Sequence, residues 1–160
     1  LRNGTVLSRQ DERVRYSIWT VLLAAFLMTF LDILTDPVAH EGERWFLGKI
    51  YDYAADGYFF HIPQSNFAGW FLVSFIIIGG FLLLDKHVLR KRFPADFPRS
   101  PRFYQPLLGI LCYLSVMLFN VSVAFMIGEY GLGFTELYYV LLFTVLSIVC
   151  CTKGLTISHE

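Results

Sequence analysis

From Tyr16 to Leu31 the chain carries no charged side chain at all, and across its 160 residues charged types make up only 16% against 56% hydrophobic. A water-facing domain of this length has no use for so much apolar matter. Cysteine is also scarce: there are three, and the adjacent Cys150 and Cys151 cannot frame a disulfide scaffold. Small apolar packing is their default role, with palmitoylation of the pair a weaker option. No CxxC, HExxH, nucleotide loop or Rossmann glycine pattern occurs, which removes the enzyme classes those motifs mark. His40 and His61 stand too far from other ligand types to argue a metal site. There is no internal repeat and no low-complexity tract.

Long apolar runs are what the sequence does have. Four stretches, about 16–35, 66–84, 106–127 and 135–152, are long and greasy enough to span a bilayer, which takes about 20 residues. Backbone in lipid must satisfy its own hydrogen bonds, so these runs are helices. The expected fold is all-α: a polytopic membrane bundle of four transmembrane helices within one membrane domain. Ser65 and Asn66 after Pro63, Pro106, and Thr135 with Glu136 suit helix starts. Gly79-Gly80 marks close packing inside the second span. The first run has no small-residue cleavage site after it, so it is not a cleavable signal.

Net charge is zero, but it is unevenly placed. Arg2, Arg9, Arg13 and Arg15 precede the first span, and Lys86, Arg90, Lys91, Arg92, Arg99 and Arg102 follow the second. Alternation puts both groups on one side with Lys153, leaving Arg44 and Lys49 on the other. The positive-inside rule then places both termini and the 86–105 loop in the cytoplasm, in a plasma-membrane protein. Topology explains the basic loop, so neither a nucleic-acid nor an acidic-lipid partner is needed to account for it.

The opposite side collects acids and aromatic rings. Asp32 and Asp36, i and i+4, end the first span, and Pro37 is expected to stop the helix there. "ERWFLGKIYDYAAD" has Phe46, Leu47, Ile50, Tyr51 and Ala54 at helical spacing, which predicts an amphipathic helix lying in the interface, with Asp52 and Asp56 on its other face. "GYFFHIPQSNFAGW" follows. An acid one turn inside a membrane helix costs about 2–3 kcal/mol even on lenient insertion scales, so Asp32 is the leading functional candidate. Asp36 is expected nearer water, and Asp52 and Asp56 at the headgroup level in a supporting role.

The blocks "LDILTDPVA" (31–39), Trp45, "GYFFHIP" (57–63) and "SNFAGWF" (65–71) resemble, in order and spacing, the carotenoid biosynthesis membrane-protein family. That family includes the carotenoid 1,2-hydratases, such as bisanhydrobacterioruberin hydratase. His61 stands where the family usually has glycine. Family members are longer, which implies further helices at one or both ends, or a second copy, as partners.

The resemblance implies hydration of the terminal C=C of an acyclic carotenoid, or of another lipid-soluble isoprenoid. Such an alkene is a poor base and needs a strong proton donor, here Asp32. A tertiary cation forms and water adds to it, with Asp36 orienting or deprotonating that water. No cofactor and no metal are needed. Phe59, Phe60, Tyr58 and Trp70 are the candidates for stabilising the cation through their ring faces, and Trp45, His61 and Asn66 complete the substrate-binding set. A linear polyene is comparable in length to the hydrocarbon core, ~30 Å, so its tip reaches an interfacial site. Two rivals remain. "DILTD" (32–36) and "DYAAD" (52–56) suit a Mg²⁺-dependent polyprenyl transferase, and a half-buried acid suits a non-enzymatic scaffold or transport component.

Overall fold

A computed structural model describes residues 12–53, 57–92 and 104–156, with side chains for 12–53, 57–92 and 108–149. Asp56 and the Cys150–Cys151 side chains lie outside the described residues. The order is α1 (Glu12–Arg15), α2 (Ile18–His40), a 3₁₀ turn (Gly42–Arg44), α3 (Gln64–Leu84), a π-turn (Asp85–Leu89), α4 (Arg90–Arg92), α5 (Tyr104–Met126) and α6 (Tyr130–Thr156). Four of these helices are long and apolar enough to cross a membrane. The protein is therefore an all-α, multi-pass integral membrane protein. In the most apolar stretch of residues 64–92 only 6% is buried. Ile76, Ile77, Phe81 and Leu83 point outward, which is stable only in a lipid solvent.

The described residues divide into two compact units, one holding those before Val38 together with Tyr51–Arg92, the other Val38–Ile50 together with Tyr104–Thr156. In the first, α2 and α3 are tied at both ends. Asn66 reaches Asp32 and Asp36 at one end, while Arg15 and Tyr16 reach Asp85 at the other. Residues 66 to 85 span roughly 28 Å of helix at about 1.5 Å per residue, close to the ~30 Å of a hydrocarbon core. The polar ties therefore sit at opposite membrane surfaces. Val21, Ala25 and Leu34 fill the buried side of α2.

In the second unit α5 and α6 form a helical hairpin. Its turn is a Schellman motif: Gly128 N donates to Phe125 O and Glu129 N to Ala124 O, with Gly128 at φ +81°. Glycine takes that left-handed position at little cost. Arg44 donates to the carbonyl of Ile127 and pairs with Glu129 and Glu41. The 3₁₀ turn thus caps the end of α5. Met117, Val121, Ala124, Leu132 and Val140 form the buried side of the pair.

Three expectations need correcting. Pro37 does not end the first helix, which continues to His40. Pro37 removes the one backbone bond that the Ile33 carbonyl would accept, a local loss that membrane helices tolerate. The last span begins at Tyr130, not 135, because the Schellman turn starts α6 directly. No interfacial helix forms over the described part of 45–56, where residues 48–53 have no regular structure. Gly48 N closes back onto Gly42 O at 2.9 Å, and the hydroxyls of Tyr51 and Tyr53 then both turn to the Asp36 carboxylate. Residues two apart share a side in an extended chain, not in a helix.

Candidate functional site

The side chains that a membrane helix must satisfy sort by what they can do. Hydroxyls and amides can donate, so they fold back on their own helix: Thr29 to Ala25 O, Thr144 to Val140 O, Asn120 to Val116 O. An ionised carboxylate only accepts, and a helix offers it only more acceptors. Its donors have to come from another segment. Asp32 and Asp36 show which segments those are.

Asp36 is buried, and three groups donate to it. Tyr51 Oη donates to Oδ1, Tyr53 Oη donates to Oδ2 at 2.7 Å, and Asn66 Nδ2 donates to Oδ2 at 2.8 Å. The same Asn66 nitrogen donates to Asp32 Oδ2 at 3.2 Å. One amide therefore joins two carboxyl groups a helical turn apart. Burial, and next the hydrogen bond to Asp36, push the phenols of Tyr51 and Tyr53 above their ordinary range. The order of exposure is the reverse of the expected one. Asp36 is 7% exposed and Asp32 is half-buried, because the two tyrosines close over Asp36.

Beside Asn66 in the chain lies a tight turn. Ile62 N donates to Phe59 O at 2.9 Å, and both central residues, Phe60 and His61, have positive φ, +46° and +66°. Paired positive angles mark a type I′ turn, a conformation that side-chain-bearing residues seldom hold. Gly57 makes the turn fit, since a Cβ there would stand 1.9 Å from Ile62 O. The turn stacks Phe59 edge-on against Phe60 (4.9 Å) and Phe67 (6.2 Å).

The structure thus brings together Asp32, Asp36 and Asn66, and gathers Phe59 and Phe60 with Phe67. Tyr58 is 99% exposed, and Trp70 is exposed on α3. His61 occupies the turn by its backbone, its carbonyl accepting from Gly57 N at 3.3 Å. Asp52 is exposed and accepts from the Tyr53 backbone N–H at 3.1 Å. Trp45 belongs to the second unit, where Nε1 donates to Val38 O at 3.1 Å and its ring meets Phe46 and Phe119.

Residues 2–142 match the family model for carotenoid biosynthesis proteins. The chain belongs to that family. No curated protein and no solved structure matches it. Membership gives a role in carotenoid biosynthesis, and the apolar helices suit a lipid-soluble substrate.

Sequence reasoning missed two features of this family member. Tyr51 and Tyr53 read as parts of an amphipathic helix, and only their spacing of two hinted at a shared target. Glu136 read as a helix-start residue, yet it is 1% exposed and neither carboxyl oxygen has a hydrogen-bond partner among the described residues. It lies within α6 at the same distance from the Gly128 turn as buried Asn120 on α5. A lone glutamate at the head of an apolar run carries no sequence signal of burial.

Proposed function

We propose that this protein hydrates the terminal C=C of an acyclic carotenoid end group by acid catalysis, without a cofactor. The observation that carries the proposal is the unequal sharing of donors between the two acids. Asp36 takes hydrogen bonds from Tyr51, Tyr53 and Asn66, and Asp32 takes one, from Asn66. Asp36 is built to hold negative charge. Asp32 keeps free oxygen valence on the more open side and is the group that carries the reacting proton.

In the proposed step the Asp32 carboxyl gives its proton to the less substituted carbon of the terminal alkene, and the π electrons form the new C–H bond. A tertiary cation is left on the other alkene carbon. Water forms the C–O bond at that tertiary carbon, and its surplus proton returns to the Asp32 carboxylate. The acid is regenerated and nothing is oxidised or reduced. The Asp36 carboxylate opposes the positive charge, and the faces of Phe59, Phe60 and Phe67 stabilise it without reacting. The substrate reaches the site from the lipid. The basic segments flanking α2 and α3 orient the protein with the 86–105 loop in the cytoplasm. A Ser100→Cys variant should then resist impermeant thiol reagents on intact cells, and ready labelling would reverse the orientation.

Pigment analysis of cells that make a linear carotenoid tests the chemistry. The protein should add a tertiary hydroxyl to the end group. Asp32→Asn at equal membrane level should cut that product by about 10²–10⁴, the range typical of general acid catalysis. Unchanged pigment with either form would reject hydration. Loss of activity in chelator, restored by Mg²⁺, would favour the polyprenyl transferase and give Asp32 and Asp36 ligand roles.

A further inference from the structure

At the end of the first unit opposite Asp32, α2 and α3 leave a cavity of about 340 Å³. Its walls are Val21, Phe75, Gly79 and Gly80, and Tyr16 and Lys86 stand at one end. Gly79 and Gly80, expected from the sequence to mark close packing, instead leave it open. A Cβ on Gly80 would meet nothing within 4 Å, and one on Gly79 would meet only Val21 Cγ1 at 3.5 Å. Its walls are mainly apolar and offer water few partners away from Tyr16 and Lys86. A hydrocarbon chain needs none.

The charged end is specific. Asp85 is already engaged by Arg15 and by Tyr16 Oη, each at 2.8 Å, and Arg90 pairs with Glu12. Lys86 stands 5.6 Å from the centre of the Tyr16 ring, with Arg15 and Arg90 at 5.7 and 5.8 Å from the same ring. Among the described residues no carboxylate pairs with Lys86. Residues 64 to 86 span roughly 33 Å of helix, so this ammonium lies at headgroup level. Lys91 and Arg92 extend the same sign of charge along the chain.

We infer that this cavity holds an anionic phospholipid, with its phosphate at Lys86 and one acyl chain along Gly79 and Gly80. The observations favour a lipid over a free phosphate. A single lysine without a cradle of backbone N–H groups holds a small anion weakly, whereas a chain in the adjoining cavity anchors it. The inference is independent of the reaction at Asp32.

Thermal unfolding of the purified chain in neutral detergent tests it, titrated with phosphatidylglycerol, with phosphatidylcholine of the same chains, or with inorganic phosphate. Phosphatidylglycerol should raise the melting temperature saturably, and the other two should not. Lys86→Gln should weaken the half-saturation about fivefold, the effect of one lysine at an anionic surface, while Lys91→Gln shifts it less than about twofold. Gly80→Leu, which fills the cavity without touching a charge, should abolish the response. Equal stabilisation by phosphatidylcholine would overturn the headgroup reading, and a response to inorganic phosphate alone would overturn the lipid. An unaltered response in Gly80→Leu would place the lipid elsewhere and reject the cavity.

Discussion

Asn66 on α3 donates to Asp36 on α2 at 2.8 Å from the same nitrogen that reaches Asp32 at 3.2 Å. Both amide hydrogens are thereby committed to carboxyl groups. Asn66→Ser shortens the arm and releases both acids. Losing a hydrogen bond to a charged group costs about 1.5–3 kcal/mol, so conversion of the carotenoid should fall roughly 10- to 150-fold with helix content unchanged by circular dichroism. Full activity in Asn66→Ser would show that the bridge does not serve the reaction.

Tyr51 and Tyr53 give a pH signature outside the spans. Burial and the bond to Asp36 raise both phenols above their unfolded value near 10. The stability they contribute is fully present below about pH 10 and is lost above it, as the unfolded chain ionises its tyrosines first. An ultraviolet titration in detergent should show a late phenolate component among the nine tyrosines. In the double variant Tyr51→Phe with Tyr53→Phe that component should shrink. A late component undiminished in the double variant would assign it to other tyrosines.

The strained turn makes opposite predictions at neighbouring positions. His61 sits at φ +66°, where a side chain costs about 1–2 kcal/mol, so His61→Gly should raise the melting temperature and His61→Val should lower it. Gly57→Ala drives a methyl group into Ile62 O and should lower it further. If all three variants melt alike, the turn is not held as described.

Glu136 is the polar atom set with least support. Glu136→Gln keeps the shape and replaces an ionisable carboxyl at a site with no donor among the described residues, so the purified protein should melt no lower than the parent. Glu136→Leu, which removes the polar atoms altogether, should melt higher still. Destabilisation by both would mean that the carboxyl has a partner after all.

The four spans were legible because lipid imposes one requirement on every turn of helix, and the apolar runs answer it without reference to the rest of the fold. The acids were legible for the same reason, as exceptions to that rule. Pro37 misled because it stops helices where water competes for the backbone, whereas here α2 runs on to His40. The segment after Trp45 misled for a different reason. Leu47, Ile50 and Tyr51 do fall at helical spacing, but the hydroxyls of Tyr51 and Tyr53 outweigh that pattern by seeking one buried carboxylate. Glu136 could not be found from its own neighbourhood in the sequence, since its burial is set by a partner helix.

The bridge at Asn66 also constrains how the protein is made. When α2 leaves the ribosome, neither Asp32 nor Asp36 has a donor, because Tyr51, Tyr53 and Asn66 are all encoded downstream. A nascent α2 released alone into the bilayer would carry two acids with nothing to satisfy them. Their protein donors arrive only with the following segment and α3, so Asp36 reaches its buried, three-donor state only once α2 and α3 have packed together.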